Sequence, residues 1–213
     1  MAAIEVIFEG IPAELHAEAK RYIVEIPAVL RMSFKNDWGA DFRQKWFGAR
    51  DTVKMLNMLN SLDKYLNEKC TRVTLVREAG DHYGSVWPTV KVDNETDDDF
   101  KKPNGYLKVP SGLRIGLASS YDNPETEKHW LKGEGGKSGL YTVPLGRVNT
   151  IFHEMTHKIL KTDDVEFPGT DTECYGVTMC QKLRKVHSDL ALNNADNWGF
   201  YLAECFKHVF GNK

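Results

Sequence analysis

The 213-residue sequence predicts an α+β domain with a small, mostly antiparallel sheet. Three observations lead there. Apolar residues recur at helical steps toward both ends, short β-branched segments fill the middle, and the chain is too short to divide into two well-cored halves. One domain over 1–213 is therefore expected, with an N-terminal helical part over about 12–69, a sheet part over about 70–145 and a second helical part over about 146–213.

In the first part, Phe42, Trp46, Val53, Leu56, Leu59, Leu62 and Leu66 stand three or four residues apart for the most part. That spacing predicts core-facing helix across 41–69, broken or bent near Gly48. In the middle, "TRVTLVRE" (71–78), "SVWPTVKV" (85–92), "GYLKVP" (105–110) and "LRIGLASS" (113–120) are rich in residues that suit a pleated surface, and Gly, Pro, Asn and Asp separate them. These are the expected strands. The acidic run "DNETDDDF" between two of them lacks the spacing of an EF-hand loop and is expected as a solvated turn. The glycine-laden "WLKGEGGKSGLYTVPLG" (130–146) is expected as a loop. Helical spacing returns in "RVNTIFHEMTHKIL" (147–160), "YGVTMCQKLRKVH" (175–187) and "NADNWGFYLAECFKHVF" (194–210).

Composition narrows the function classes. A hydrophobic fraction of 41% supports a packed interior, and a net charge of −2 with 27% charged residues gives no electrostatic footprint for nucleic acid or an anionic membrane. No apolar run reaches the ~20 residues that span a bilayer. The opening "MAAIEVIFEG" carries acids where a secretion signal carries bases, so a classical signal is not expected there. Cys70, Cys174, Cys180 and Cys205 show no CxxC spacing and are expected as thiols.

The chemistry concentrates in "HEMTH". On a helix, positions i and i+4 share a face, so His153 and His157 can direct imidazole nitrogens at one ion. Glu154 stands one step round, beside the ligands, where a carboxylate can take a proton from water activated by zinc. Val148, Ile151 and Phe152 before the motif, with Ile159 and Leu160 after it, predict a half-buried helix with one polar edge. Chance alone produces such a pattern in on the order of one per cent of chains this size, so its setting matters. His16, His82, His129, His187 and His208 have no ligand spacing, and Tyr121 and Tyr141 are expected as ordinary core or surface residues.

A catalytic zinc takes a third protein ligand and keeps one position open. The metzincin pattern would need glycine and histidine where Leu160 and Asp163 stand. Asp163, Asp164, Glu166, Asp171 and Glu173 follow the helix, and one aspartate among them is the simplest completion.

These segments resemble the aspzincin (M35-like) zinc endopeptidases, the family of deuterolysin and the peptidyl-lysine metalloendopeptidases, and in particular its bacterial members. The likeness rests on "HEMTH", on "KTDDVEFPGTDTECYG" (161–176), on "LNNADNWGFYLAE" (192–204) and on "FRQKWFG" (42–48). The resemblance implies a zincin-like fold with His153 and His157 as zinc ligands and Glu154 as general base. It further implies an aspartate as third ligand and Tyr175 as a transition-state stabiliser. The family's pattern of threonine, any residue, aspartate, two residues and Tyr-Gly is interrupted here. Asp164 as ligand, followed by an insertion before Tyr175-Gly176, is the economical alignment, with Asp171 the runner-up. Asp196 matches a position that binds the basic side chain of substrate in lysine-specific relatives. Its other reading is a carboxylate at a helix start. Gly199 stands where those relatives carry a second acid, which argues against strict lysine specificity.

The implied activity is peptide-bond hydrolysis in a protein or peptide substrate with Zn2+ as cofactor. An inactive zinc-bearing interaction module is the alternative, and the presence of Glu154 argues against it. The further expectation is a bacterial effector or toxin, secreted or delivered to a target cell with a secretion-machinery or immunity-protein partner, or otherwise cytoplasmic.

Overall fold

The computed structural model describes residues 4–78, 84–88, 112–118, 121 and 143–211. Strand β1 (Glu5–Glu9) opens the fold and helices α1 (Ala13–Lys35), α2 (Asp37–Phe47) and α3 (Val53–Lys64) follow, the last running on into one π-helical turn over Tyr65–Lys69. Strands β2 (Arg72–Arg77), β3 (Gly84–Pro88) and β4 (Gly112–Leu117) complete the sheet. Helices α4 (Val143–Leu160), α5 (Gly176–Val186), α6 (Ser188–Asn193) and α7 (Ala195–Phe210) form the C-terminal part.

Local chemistry explains the breaks. The break expected near Gly48 divides α2 from α3: Gly48 takes φ 75° and caps α2 with its N–H on the Gln44 carbonyl at 3.1 Å. Thr52 then starts α3, its hydroxyl accepting from the Met55 N–H at 3.2 Å.

The sheet departs from the antiparallel expectation. Its order is β1-β2-β4-β3, with β1, β2 and β4 parallel and only β3 antiparallel, against β4. Short segments divided by turn residues suggested hairpins, yet β4 inserts between β2 and β3. The consecutive buried positions Val73-Thr74-Leu75 and Ile115-Gly116-Leu117 were the better signal, since parallel strands covered on both faces lose alternation. The strand expected at 105–110 and the acidic turn at 93–100 lie outside the described residues. Of the loop expected at 130–146, residues 143–146 instead begin α4.

Below the sheet, α4 and α7 pack along one another. Val148, Ile151, Phe152 and Met155 of α4 are fully buried, as are Trp198, Phe200 and Tyr201 of α7. Trp46 stacks on Phe200 with centroids 5.2 Å apart, and Phe47 meets Trp198 at 4.6 Å, fixing α2 across α7. All four cysteines are buried thiols. Among the described residues no helix is long and apolar enough to cross a membrane.

Candidate metal centre

Helix α4 brings His153 and His157 to one face near its C-terminus, and Lys161 then turns the chain. This lysine has φ 59°, the left-handed conformation that often ends a helix but costs a side chain about 1–2 kcal/mol. The turn carries the Thr162 carbonyl to 2.7 Å from His157 Nδ1 and returns Asp164 over the histidines.

Asp164 Oδ1 lies 3.1 Å from His153 Nε2 and 3.4 Å from His157 Nε2, and the two Nε2 atoms are 3.0 Å apart. The far side of each ring settles which nitrogen is bare. His153 Nδ1 faces Asp196 Oδ1 at 2.9 Å and His157 Nδ1 faces the Thr162 carbonyl; both partners only accept, so both Nδ1 atoms donate. Neutral rings held this way present two Nε2 lone pairs to a carboxylate oxygen. Three lone pairs converging at this range require a cation among them.

A tetrahedral zinc with ligands at about 2.0–2.1 Å would set its ligand atoms about 3.3 Å apart, close to the three separations found. Asp164 Oδ1 is also buried without a hydrogen bond of acceptable geometry. The donor set therefore fits zinc. Among the described residues, His153, His157 and Asp164 are the one group of three with ligand atoms within 4.8 Å of one another.

Electrostatics report the same convergence when protons take the place of metal. Burial alone would lower the His153 pKa, but Asp164 and Asp196 outweigh it and push it up to about 10. For His157 burial is likewise outweighed, by Asp164, and the net shift is upward. Burial would raise Asp164, yet the two histidines hold it well below the usual carboxylate range. Glu154, buried beside them with Oε1 3.8 Å from His153 Nε2, moves up because desolvation exceeds the pull of the histidines.

Of the two candidate aspartates, the structure brings Asp164 to the histidines and leaves Asp171 apart from them. Residues 165–174 fold back on themselves, with Cys174 N–H on the Val165 carbonyl at 2.8 Å and Phe167 N–H on the Thr172 carbonyl at 2.7 Å. Asp164 and Tyr175 flank the base of this hairpin, while Asp171 is exposed toward its turn. The interruption in the sequence pattern is thus a hairpin that leaves its two ends together. Tyr175 caps α5 at 43% exposure with its ring centroid 6.0 Å from that of His153, and burial followed by the Asp164 charge keeps its phenol protonated.

Asp196 was expected to face substrate, and the structure places it behind His153 instead. It is 4% exposed; Oδ1 accepts from His153 Nδ1 and, at 3.2 Å, from Asn149 Nδ2, and Oδ2 accepts from the Gly176 N–H at 2.6 Å. A carboxylate so engaged orients a ligand histidine. Gly199 has a packing reason: a Cβ there would stand 1.8 Å from Asn149 Oδ1. Asn149 and the Thr162 carbonyl were missed in the sequence. Asn149 was legible as the residue four before His153 on the same helical face, whereas no sequence signal announces the turn at Lys161.

Comparison with known proteins agrees with this geometry. Residues 142–203 match the model of the aspzincin M35 family, described as lysine-specific metallo-endopeptidase. The fold is similar to that of a zinc peptidase from Grifola frondosa, with 13% identity, a TM-score of 0.54, and coverage of 91% of this chain and 97% of that one. Among curated proteins none matches. The likeness to that family covers the metal-site helix through most of α7.

Proposed function

We propose that this protein hydrolyses peptide bonds with zinc held by His153, His157 and Asp164. The observation that carries the assignment is the convergence of two bare Nε2 atoms on the orphaned Asp164 Oδ1 beside a buried glutamate. Bound there, zinc supplies Lewis acidity, acidifying water and polarising a carbonyl oxygen. Glu154 takes the proton from the attacking water and delivers it to the leaving amine, and its burial makes it the stronger base. The Tyr175 hydroxyl, kept protonated, donates toward the oxyanion as it forms. Asp196 and the Thr162 carbonyl hold the ligand rings in the required tautomer.

Three protein donors lie among the described residues, and a zinc held by three such donors would keep a position for water, which favours an enzyme over a structural zinc module. Asp196 has no free oxygen for a substrate ammonium, so lysine selection by that residue is not part of this reading.

The test is cleavage of a complex peptide library, mapped by mass spectrometry, with the wild type and Glu154→Gln both zinc-loaded. The variant is expected to keep zinc and lose at least about 100-fold in rate; equal cleavage by both would sink the mechanism. The wider role proposed is that of a bacterial effector delivered to a target cell and held in check by an immunity partner. Fractionation of producing cells that finds the protein only in their cytosol would count against delivery.

A further inference from the structure

Asp164 and Tyr175 reach the same centre from opposite ends of a hairpin, and a two-stranded hairpin is marginal by itself. Something must hold its base. The backbone supplies part of the hold, since Asp163 donates to the Asn193 carbonyl at 2.8 Å and accepts from the Ala195 N–H at 3.0 Å. The rest comes from one side chain. Asn194 is fully buried; its Oδ1 accepts from the Val165 N–H at 3.1 Å, and its Nδ2 donates to the Cys174 carbonyl at 3.1 Å and to Asn197 Oδ1 at 2.8 Å. Val165 is the neighbour of Asp164, and Cys174 is the neighbour of Tyr175.

We propose that Asn194 is a positioning residue that sets Asp164 and Tyr175 relative to one another by bonding the backbone beside each. It touches neither metal nor substrate. Asn197 anchors the clamp in turn, donating to the Trp46 carbonyl at 2.6 Å and the Cys180 carbonyl at 3.3 Å, so the hairpin base is referred to the rigid core and not to solvent. An amide is needed because the two backbone groups differ in kind: one offers a proton and the other a lone pair. Aspartate keeps the acceptor for Val165 and loses both donors. Alanine loses these three bonds together with the longer one from Nδ2 to Cys180 Sγ at 3.7 Å.

The zinc arm of the test rests on the ligand assignment above, whereas hydrogen exchange does not. In the metal-free wild type, the Val165 amide is expected to exchange as slowly as amides of α7 and far more slowly than those near the hairpin turn. Exchange at Val165 as fast as at Thr170 would overturn the proposal, whatever the variants do. Among the variants, Asn194→Ala is expected to bind zinc about 10–100-fold more weakly, the loss usual for residues that orient a ligand, and Asn194→Asp to fall between it and the wild type. In zinc-saturated protein, kcat is expected to fall with KM little changed. A folded Asn194→Ala with wild-type zinc affinity and kcat overturns the assignment, since a residue serving stability alone would move only the unfolding midpoint. If the wild type binds zinc but cleaves nothing, the peptidase reading fails, while exchange and zinc affinity still decide the role of Asn194.

Discussion

Asp196 Oδ1 stands 2.9 Å from His153 Nδ1, on the opposite side of the ring from the atom that faces Asp164. The two residues are 43 positions apart, on helices α4 and α7. This carboxylate fixes the tautomer of the histidine and strengthens it as a ligand. Asp196→Asn preserves the shape and removes the charge. Zinc affinity is expected to fall about 10–100-fold, read by competition with a chelating dye. Unchanged affinity would show that the pair does not tune the metal.

The hairpin separates the two aspartates that the sequence left in competition. Asp164→Ala should weaken zinc by more than about 100-fold, beyond the range for residues that only orient a ligand, whereas Asp171→Ala should leave affinity and cleavage unchanged. The same dye competition, run on both variants, checks the assignment; the reverse result would move the third ligand to the hairpin turn.

Zinc and protons compete for the same nitrogens. His153 is pushed up to about 10 and His157 is also raised in the metal-free site, so zinc binding near neutral pH must displace protons. Calorimetry in buffers of different ionisation enthalpy should report release of about one proton per zinc from His153. A slope near zero would contradict a charged His153.

The same shifts set the pH dependence of metal-free stability. The raised His153 pKa gives stability that is full below pH 6.5 and lost as pH rises toward about 10, because the folded state holds the proton more tightly. Glu154, also raised, changes in the same direction from its lower ordinary value. The lowered Asp164 pKa acts in the opposite sense: its contribution is full above pH 3.8 and lost as pH falls. Urea unfolding in the presence of chelator should therefore show stability declining from pH 6.5 toward 10.

Gly199 tests how closely α4 and α7 must approach. Alanine in an exposed helix is favoured over glycine by about 1 kcal/mol. Here its Cβ would meet Asn149 Oδ1 at 1.8 Å and the Asn149 carbonyl oxygen at 2.9 Å. Overpacking should win, with a net loss of about 1–3 kcal/mol in chemical denaturation. Asn149→Ala removes the nearer atom, so the double variant should lose less than the sum. Additive losses would place the strain elsewhere.

The sequence by itself determined the chemistry that depends on local period. His153 and His157 had to share a helical face once Val148, Ile151, Phe152 and Met155 committed α4 to the core, and Glu154 had to stand beside them. Three of the four helices of the last third were legible for the same reason, α6 being too short to show a period, and Asp164 stood as a candidate through its resemblance to a family pattern. Strand pairing was not, because a short apolar segment reads alike whether its neighbour runs parallel or antiparallel, and the insertion of β4 between β2 and β3 is a long-range choice. Tertiary structure also decided what Asp196 faces. A carboxylate in the first turn of a helix can point to solvent, to substrate or inward; the packing of α7 on α4 turned it to His153 Nδ1 and the Gly176 N–H, where burial would be costly for a charge without those donors. Asn194 likewise carries no local signal of its role, since the two backbone groups it joins are brought within reach only when the hairpin closes over α7.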